Sequence, residues 1–357
     1  MTIQRYIAPL NALRAVASIW VVFYHFRYFS SYPWFDIPGV SRGYLGVDFF
    51  FILSGLIISH VYLEKSRHAF GLNGYLRFLG YRLARIWPVH AVFMVLMLLA
   101  ALATGAVLTD QQIVDWISLT FLARQWLLPD SYAWNSSAWS VSAELFAYAF
   151  IFPLVVVLAR RLSWLAAASI LIVAGLGLFA GMEWRAGTFN IIPFGGPLIR
   201  VTAGFSLGAG VYCLLLSMNP AKIWDVAIWI GMMSIPIALQ FQSDLVFLVV
   251  ILALLVGAYM SLGLLGRLLA SRPFFLMGEW SFGLYLAHIP VLITTQFVAD
   301  QFGIERGFLF GIGSLFISVG VAATFYYLIE QPARIYARHG ITRLSQLNSR
   351  HRSEQQT

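Results

Sequence analysis

Charge is scarce in this chain. Only 11% of its 357 residues are Asp, Glu, Lys or Arg, where a soluble globular domain carries about 25%. So few charges cannot cover a water-facing surface. With 60% hydrophobic residues and a mean hydropathy of +0.79, an ordinary soluble domain is excluded. Cysteine is scarcer still: Cys213 stands alone, so there is no intramolecular disulfide and no C-x-x-C pair. The chain also lacks an H-E-x-x-H zinc motif and a G-x-x-x-x-G-K-[ST] phosphate loop, so no metal site and no ATP hydrolysis are expected. The net charge of +8 does not point to nucleic acid, because the basic residues fall mainly between apolar runs, where they report topology.

What the chain has in abundance is apolar runs. Ten lie at roughly 7–27, 44–62, 86–106, 137–158, 163–181, 198–217, 223–240, 244–263, 280–299 and 308–330, each near the ~20 residues a helix needs to cross a bilayer. They are continuously apolar, without the alternation of a transmembrane barrel. The fold class expected is all-α: a polytopic transmembrane bundle of about ten spans. Sixteen basic residues weight one side, among them Lys65, Arg67, Arg77, Arg82, Arg85, Arg160 and Arg161, against six on the other: Arg27, Arg42, Arg124, Arg185, Arg200 and Arg306. This bias places both termini in the cytoplasm. No small-residue cleavage site follows the first run, which reads as a retained helix. The longest connections are expected at 63–85 and 107–136; the second, with "RQWLLPDSYAWNSSAW", suits a lid or re-entrant segment. Residues 1–338 read as one membrane domain and 339–357 as a polar, disordered cytoplasmic tail.

Against this background the polar residues inside the runs stand out. In "LNALRAVASIWVVFYHF", Arg14 and His25 are related as R-x10-H. At about 100° per residue they share a helix face, ~16 Å apart along the axis. An arginine in a bilayer costs roughly 2.5–3.5 kcal/mol and seeks an anion inside the bundle. Asp48, in "GYLGVDFFFILSGLIISHVY", lies close in depth to His25, and as a buried carboxylate it needs a partner: an arginine, or the His25 ring. Ser54 and Gly55 allow close backbone approach. Arg82 and Arg85, one turn apart in "YRLARIWPVHA", suit a phosphate-bearing ligand at a membrane edge, or serve as ordinary flanking charge. Glu144, just inside the span that follows "WNSSAW", matches His25 in depth and could be a base, an orienting group or an arginine's partner. His288 reads as a packed, hydrogen-bonded core histidine, and Glu330 as the partner of arginines at the cytoplasmic edge.

Taken together, these motifs resemble the acyltransferase-3 membrane O-acyltransferases, which modify bacterial surface polysaccharides, Nod factors and some macrolides. The resemblance runs from Leu10 to Arg334. Its residues are Arg14 and His25; Phe50, Phe51, Ser54 and Gly55 after "GVD"; Arg82 and Arg85; Trp139, Ser140 and Glu144; Arg200, Phe205 and Gly208; Leu284, Tyr285, Leu286, His288 and Pro290; and Ile329, Glu330 and Pro332. The chain departs at Val89-His90, where members often carry a tyrosine; at 357 residues a stand-alone version is expected, without the fused hydrolase-like domain of some members.

The resemblance implies a multi-pass enzyme of the bacterial inner membrane. It would move an acyl group, usually acetyl, from cytoplasmic acyl-CoA to a hydroxyl of a surface or exported glycan. Acyl-CoA is then a co-substrate, no tightly bound cofactor is implied, and the partners are a glycan or lipid-linked saccharide and membrane lipids. CoA phosphates would meet Arg82 and Arg85, with Arg14 deeper. His25 would act as general base or transient acyl carrier, oriented by Glu144 or Asp48. Trp126, Trp134 and Trp139 would stack on sugar rings beside Ser54. Two alternatives stand: a transporter or flippase of a lipid-linked glycan, since buried charges also mark transport paths, and acylation of a small diffusible acceptor such as a macrolide.

Overall fold

The computed structural model describes residues 3–30, 37–68, 70–127, 134–191 and 195–340, and the side chains from residue 8 onward. Each apolar run has become a helix. We label the long ones α1 (Ile3–Phe29), α2 (Leu45–His68), α3 (Leu72–Ala103), α4 (Ser136–Arg161), α5 (Trp164–Ala186), α6 (Gly196–Leu215), α7 (Lys222–Gln240), α8 (Asp244–Met260), α9 (Arg272–Phe302) and α10 (Phe308–Gly340). Eight of them are long and apolar enough to span a bilayer; α8 is apolar but shorter, and α1 is not among the eight. The protein is therefore an all-α polytopic membrane bundle with eight candidate spans. Large apolar side chains face outward, as a lipid-facing surface requires: Val173, Val249 and Phe316 are each about two-thirds exposed or more.

Without a hydrophobic force between helices in lipid, close packing of small residues holds such bundles together. A Cβ on Gly55 of α2 would lie 2.1 Å from the Phe205 carbonyl oxygen of α6, and one on Gly208 of α6 would lie 1.9 Å from the Ile52 carbonyl of α2. The two backbones are in contact, and Gly55 has the packing role its sequence context allowed. Helix α1 meets α9 in the same way, with Gly278 against the Asn11 carbonyl. Helix α6 also packs on α5, α7 on α8, and α9 on α10.

The connections differ from expectation. The segment 63–85 is not a loop: α2 continues to His68 and α3 begins at Leu72, so Arg82 and Arg85 ride on a 32-residue helix. The opposite connection folds partly into a helix, Asp110–Thr120, whose first turn is closed by a Thr109–Gln112 capping box. It is tied to α3 by Trp116 Nε1 donating to the Met94 carbonyl, and by the buried His90, whose Nε2 lies 2.8 Å from the Leu119 carbonyl. Arg124 and Asp115 close it with a buried ion pair. Residues 128–133 of this connection, and 341–357 of the expected tail, lie outside the described residues; 339 and 340 still belong to α10.

Single π-type turns interrupt α2 at Ser59–Leu63, α4 at Ala147–Ile151 and α10 at Tyr326–Glu330. Such one-residue insertions re-aim side chains and recur at functional sites. All three border one cavity here: Val61, Tyr62 and Tyr148 line it, and Glu330 is paired to Arg334, which also lines it.

Candidate active site

Two cavities penetrate the bundle. The first, about 380 Å³, is lined by five arginines, Arg14, Arg82, Arg85, Arg334 and Arg338, together with Ser54, Glu144, Tyr148 and Glu279. The second, about 500 Å³, is lined by His25, Tyr24, Tyr44, Trp139, Asn190 and Arg200. Arg14 and His25 thus both face the interior, as their shared helix face required, but they open into different cavities.

The arginine cavity has unspent donors. Among the described residues, Arg14, Arg82 and Arg85 have no carboxylate within 4 Å. Arg14 donates to Asn11 Oδ1 at 3.3 Å, Asn11 in turn donates to Glu279, and Arg82 donates to Tyr62 Oη at 2.9 Å. The Nε–H groups of Arg82 and Arg334 are buried with no acceptor. Buried guanidinium N–H groups left unpaired are costly, and an anion of the right shape would satisfy them. Arg334 is held by Glu279 at 3.1 Å and by Glu330. The arginine partner expected for Glu330 is therefore present. Glu144 lies in this same cavity, accepting from Ser54 Oγ at 2.8 Å and from the Tyr148 hydroxyl.

The histidine cavity is organised around a pair of imidazoles. His25 Nδ1 lies 2.9 Å from the Val21 carbonyl and 3.2 Å from His288 Nε2. A carbonyl can only accept, so Nδ1 carries the proton and Nε2 is the basic nitrogen. His288 is fully buried on α9. Two residues on, Pro290 supplies no N–H to the Leu286 carbonyl one turn earlier; the buried Asn135 side chain satisfies it instead, at 2.9 Å. The start of α4 is thereby clamped to the part of α9 that carries His288.

Several expected placements change. Neither Asp48 nor Glu144 is brought to His25. Asp48 instead receives both Nε and Nη2 of Arg200, at 3.1 and 2.6 Å, with both side chains fully buried. This two-pronged geometry is the one a guanidinium favours, and it resolves the alternatives for Asp48 in favour of an arginine. Glu144 is held in the arginine cavity by Ser54 and Tyr148. Trp126 and Trp134 line neither cavity: the Trp126 indole donates to the Ser142 carbonyl and packs on Phe146 and Phe150, and Trp134 donates to the Gln112 carbonyl. Trp139 does line the histidine cavity, under the Arg200 guanidinium at 5.1 Å. Sequence reasoning missed His288 as the neighbour of His25, and it missed Arg334, Arg338 and Glu279 in the arginine cavity. The signal for the arginines was available: Glu330, Arg334 and Arg338 recur at steps of four on one helix face.

A model of the acyltransferase-3 family, an acyltransferase domain, matches residues 7–327. The chain belongs to this family. Among curated relatives of this acyltransferase-3 chain, YrhL of Bacillus subtilis (strain 168) is 23% identical over 93% of the chain and 55% of its own length. The peptidoglycan O-acetyltransferase OatA of Listeria monocytogenes is 26% identical over 93% of the chain and 56% of its own length. "Protein 2 in picA locus" of Rhizobium radiobacter is 33% identical over a quarter of the chain. The chain spans about half the length of YrhL and OatA. No solved structure matches it.

Proposed function

We propose that this acyltransferase-3 protein is an O-acyltransferase of a bacterial cytoplasmic membrane, moving an acetyl group from acyl-CoA to a hydroxyl of a cell-envelope glycan. The observation that carries the reading is the arginine cavity: guanidinium groups from three helices, with N–H groups left unpaired, line a pocket inside a membrane bundle. A pyrophosphate-bearing ligand satisfies that arrangement. Family membership supports an acyl donor, and the printed name of the Listeria relative supports a peptidoglycan-like acceptor. Ten crossings with both termini cytoplasmic, as the basic residues suggest, put the arginine cavity on the CoA side.

On this reading the CoA phosphates engage Arg82 and Arg85, with Arg334 and Arg14 beside them, and Ser54, Glu144 and Tyr148 offer polar atoms to the pantetheine arm. The acceptor hydroxyl enters the histidine cavity, where Trp139 supplies a ring face for a sugar. His25 Nε2 takes the hydroxyl proton as the oxygen attacks the thioester carbonyl carbon. The C–S bond then breaks and the CoA sulfur leaves with the proton held by His25. His288 Nε2 and the Val21 carbonyl fix the Nδ1–H tautomer, the orienting part that Asp48 and Glu144 do not occupy.

The test is acetyl transfer by purified protein in nanodiscs, from labelled acetyl-CoA to peptidoglycan fragments, with His25→Ala alongside. Activity at least ~10²-fold lower in a folded His25→Ala protein is expected from loss of a general base. Undiminished transfer removes His25 from the mechanism. No turnover of acetyl-CoA by the wild type, with transport of a lipid-linked saccharide in its place, returns the protein to the transporter class.

A further inference from the structure

The two cavities meet at two shared residues. Val47 of α2 and Tyr285 of α9 line both, and so form the wall between them. Tyr285 is buried and its hydroxyl is pinned from α4: it accepts from Ser140 Oγ at 2.7 Å and donates to the Ser137 carbonyl at 3.0 Å. Phe50 stands against the ring at 6.1 Å between centroids, from the arginine cavity, and His288 at 5.7 Å. Along α4, adjacent residues face the two sides: Ser140 lines the arginine cavity and Trp139 the histidine cavity. Beyond Tyr285, Pro290 leaves the α9 ladder short of one hydrogen bond, which the Asn135 side chain just before α4 supplies.

A thioester held in one cavity and a base held in the other cannot react across a closed wall. We propose that Tyr285 is a movable partition, a positioning residue that swings off Ser140 and Ser137 when donor and acceptor are both in place. Closed, it keeps water in the histidine cavity away from the thioester; open, it lets the acyl carbonyl meet the acceptor hydroxyl beside His25. The assignment of contents rests on the acyltransferase reading above. The partition itself does not.

The test therefore has two arms. In the first, a Cys213→Ala background carries either Ile57→Cys, in the arginine cavity, or Tyr28→Cys, in the histidine cavity. Proteoliposomes are treated from one side with the membrane-impermeant sulfonatoethyl methanethiosulfonate. From the side on which Tyr28→Cys is modified, Ile57→Cys is expected to react slowly, and Tyr285→Ala to speed that reaction at least tenfold. Ser140→Ala, which removes one of the two hydrogen bonds on the native ring, and Tyr285→Phe are expected to give smaller accelerations; they stand in if Tyr285→Ala does not fold. Rapid modification of Ile57→Cys with Tyr285 intact, or rates within twofold across all the variants, overturns the partition. In the second arm, acetyl-CoA hydrolysis without acceptor is compared with transfer. Tyr285→Phe is expected to raise the hydrolysis-to-transfer ratio several-fold with the acetyl-CoA KM unchanged. An unchanged ratio in an active enzyme counts against the role in catalysis. Absence of any acetyl-CoA turnover in the wild type, with the accessibility pattern intact, overturns the donor assignment and leaves the partition standing.

Discussion

His288 Nε2 lies 3.2 Å from His25 Nδ1, joining α9 to α1 at the only histidine pair among the described contacts. His25 Nδ1–H is shared between this nitrogen and the Val21 carbonyl. A neutral acceptor behind the base selects its tautomer as a carboxylate does in a catalytic triad, without adding charge to the bilayer interior. His288→Ala is expected to lower kcat about tenfold to a hundredfold, less than His25→Ala. The KM for acyl-CoA should not move, because the pair lies outside the arginine cavity. Steady-state kinetics with varied acetyl-CoA checks this; a raised KM with kcat intact contradicts it.

Arg334 extends the arginine cavity from the far end of the chain. Its guanidinium is shared between Glu279 and Glu330, with Nε unpaired. Arg334→Gln should raise the KM for acyl-CoA about tenfold, in line with the loss of one charge-assisted contact of about 1.5 kcal/mol, and leave kcat near wild type. Equal KM values in the two proteins exclude a contact with the donor.

Asp48 and Arg200 form an ion pair with no exposure to solvent. Removing one member strands a buried charge, so Asp48→Asn should destabilise the protein by roughly 3–5 kcal/mol. Replacing both, Asp48→Leu with Arg200→Met, should recover much of that loss. Thermal unfolding in detergent measures both. A single variant as stable as wild type shows that the pair does not hold α2 to α6.

Of the tryptophans, only Trp139 faces a cavity among the three first considered for sugar stacking. Trp139→Leu should raise the acceptor KM about twofold to tenfold, the ~0.5–1.5 kcal/mol scale of an aromatic contact. Trp126→Phe should leave it unchanged, since that ring packs on Phe146 and Phe150. Acceptor titrations with the two variants distinguish these outcomes; the opposite ranking contradicts the placement.

The helices were legible because hydropathy is a local signal: runs near 20 residues have to be helical in lipid. The shared face of Arg14 and His25 was legible from helical periodicity, and its inward aim from the cost of an arginine in lipid. Which polar groups meet was not. Asp48 and Glu144 matched His25 in depth, but depth fixes only one coordinate. Rotation about each helix sent Asp48 to Arg200 and Glu144 to Ser54 and Tyr148. The wall at Tyr285 was equally hidden, since it depends on α2, α4 and α9 meeting at one point. Arg82 and Arg85 escaped the loop assigned to them because α3 begins at Leu72 and, at 32 residues, runs beyond the length a bilayer requires.

The central claim is that the arginine cavity is a CoA site. Calorimetric titration of CoA into the protein in nanodiscs tests it without acceptor or turnover. The account predicts saturable binding to the wild type that weakens at least ~100-fold in Arg82→Gln with Arg85→Gln, two charge-assisted contacts of about 1.5 kcal/mol each. His25→Ala should bind CoA as the wild type does. No saturable binding to the folded wild type, or equal binding by the double variant, contradicts it.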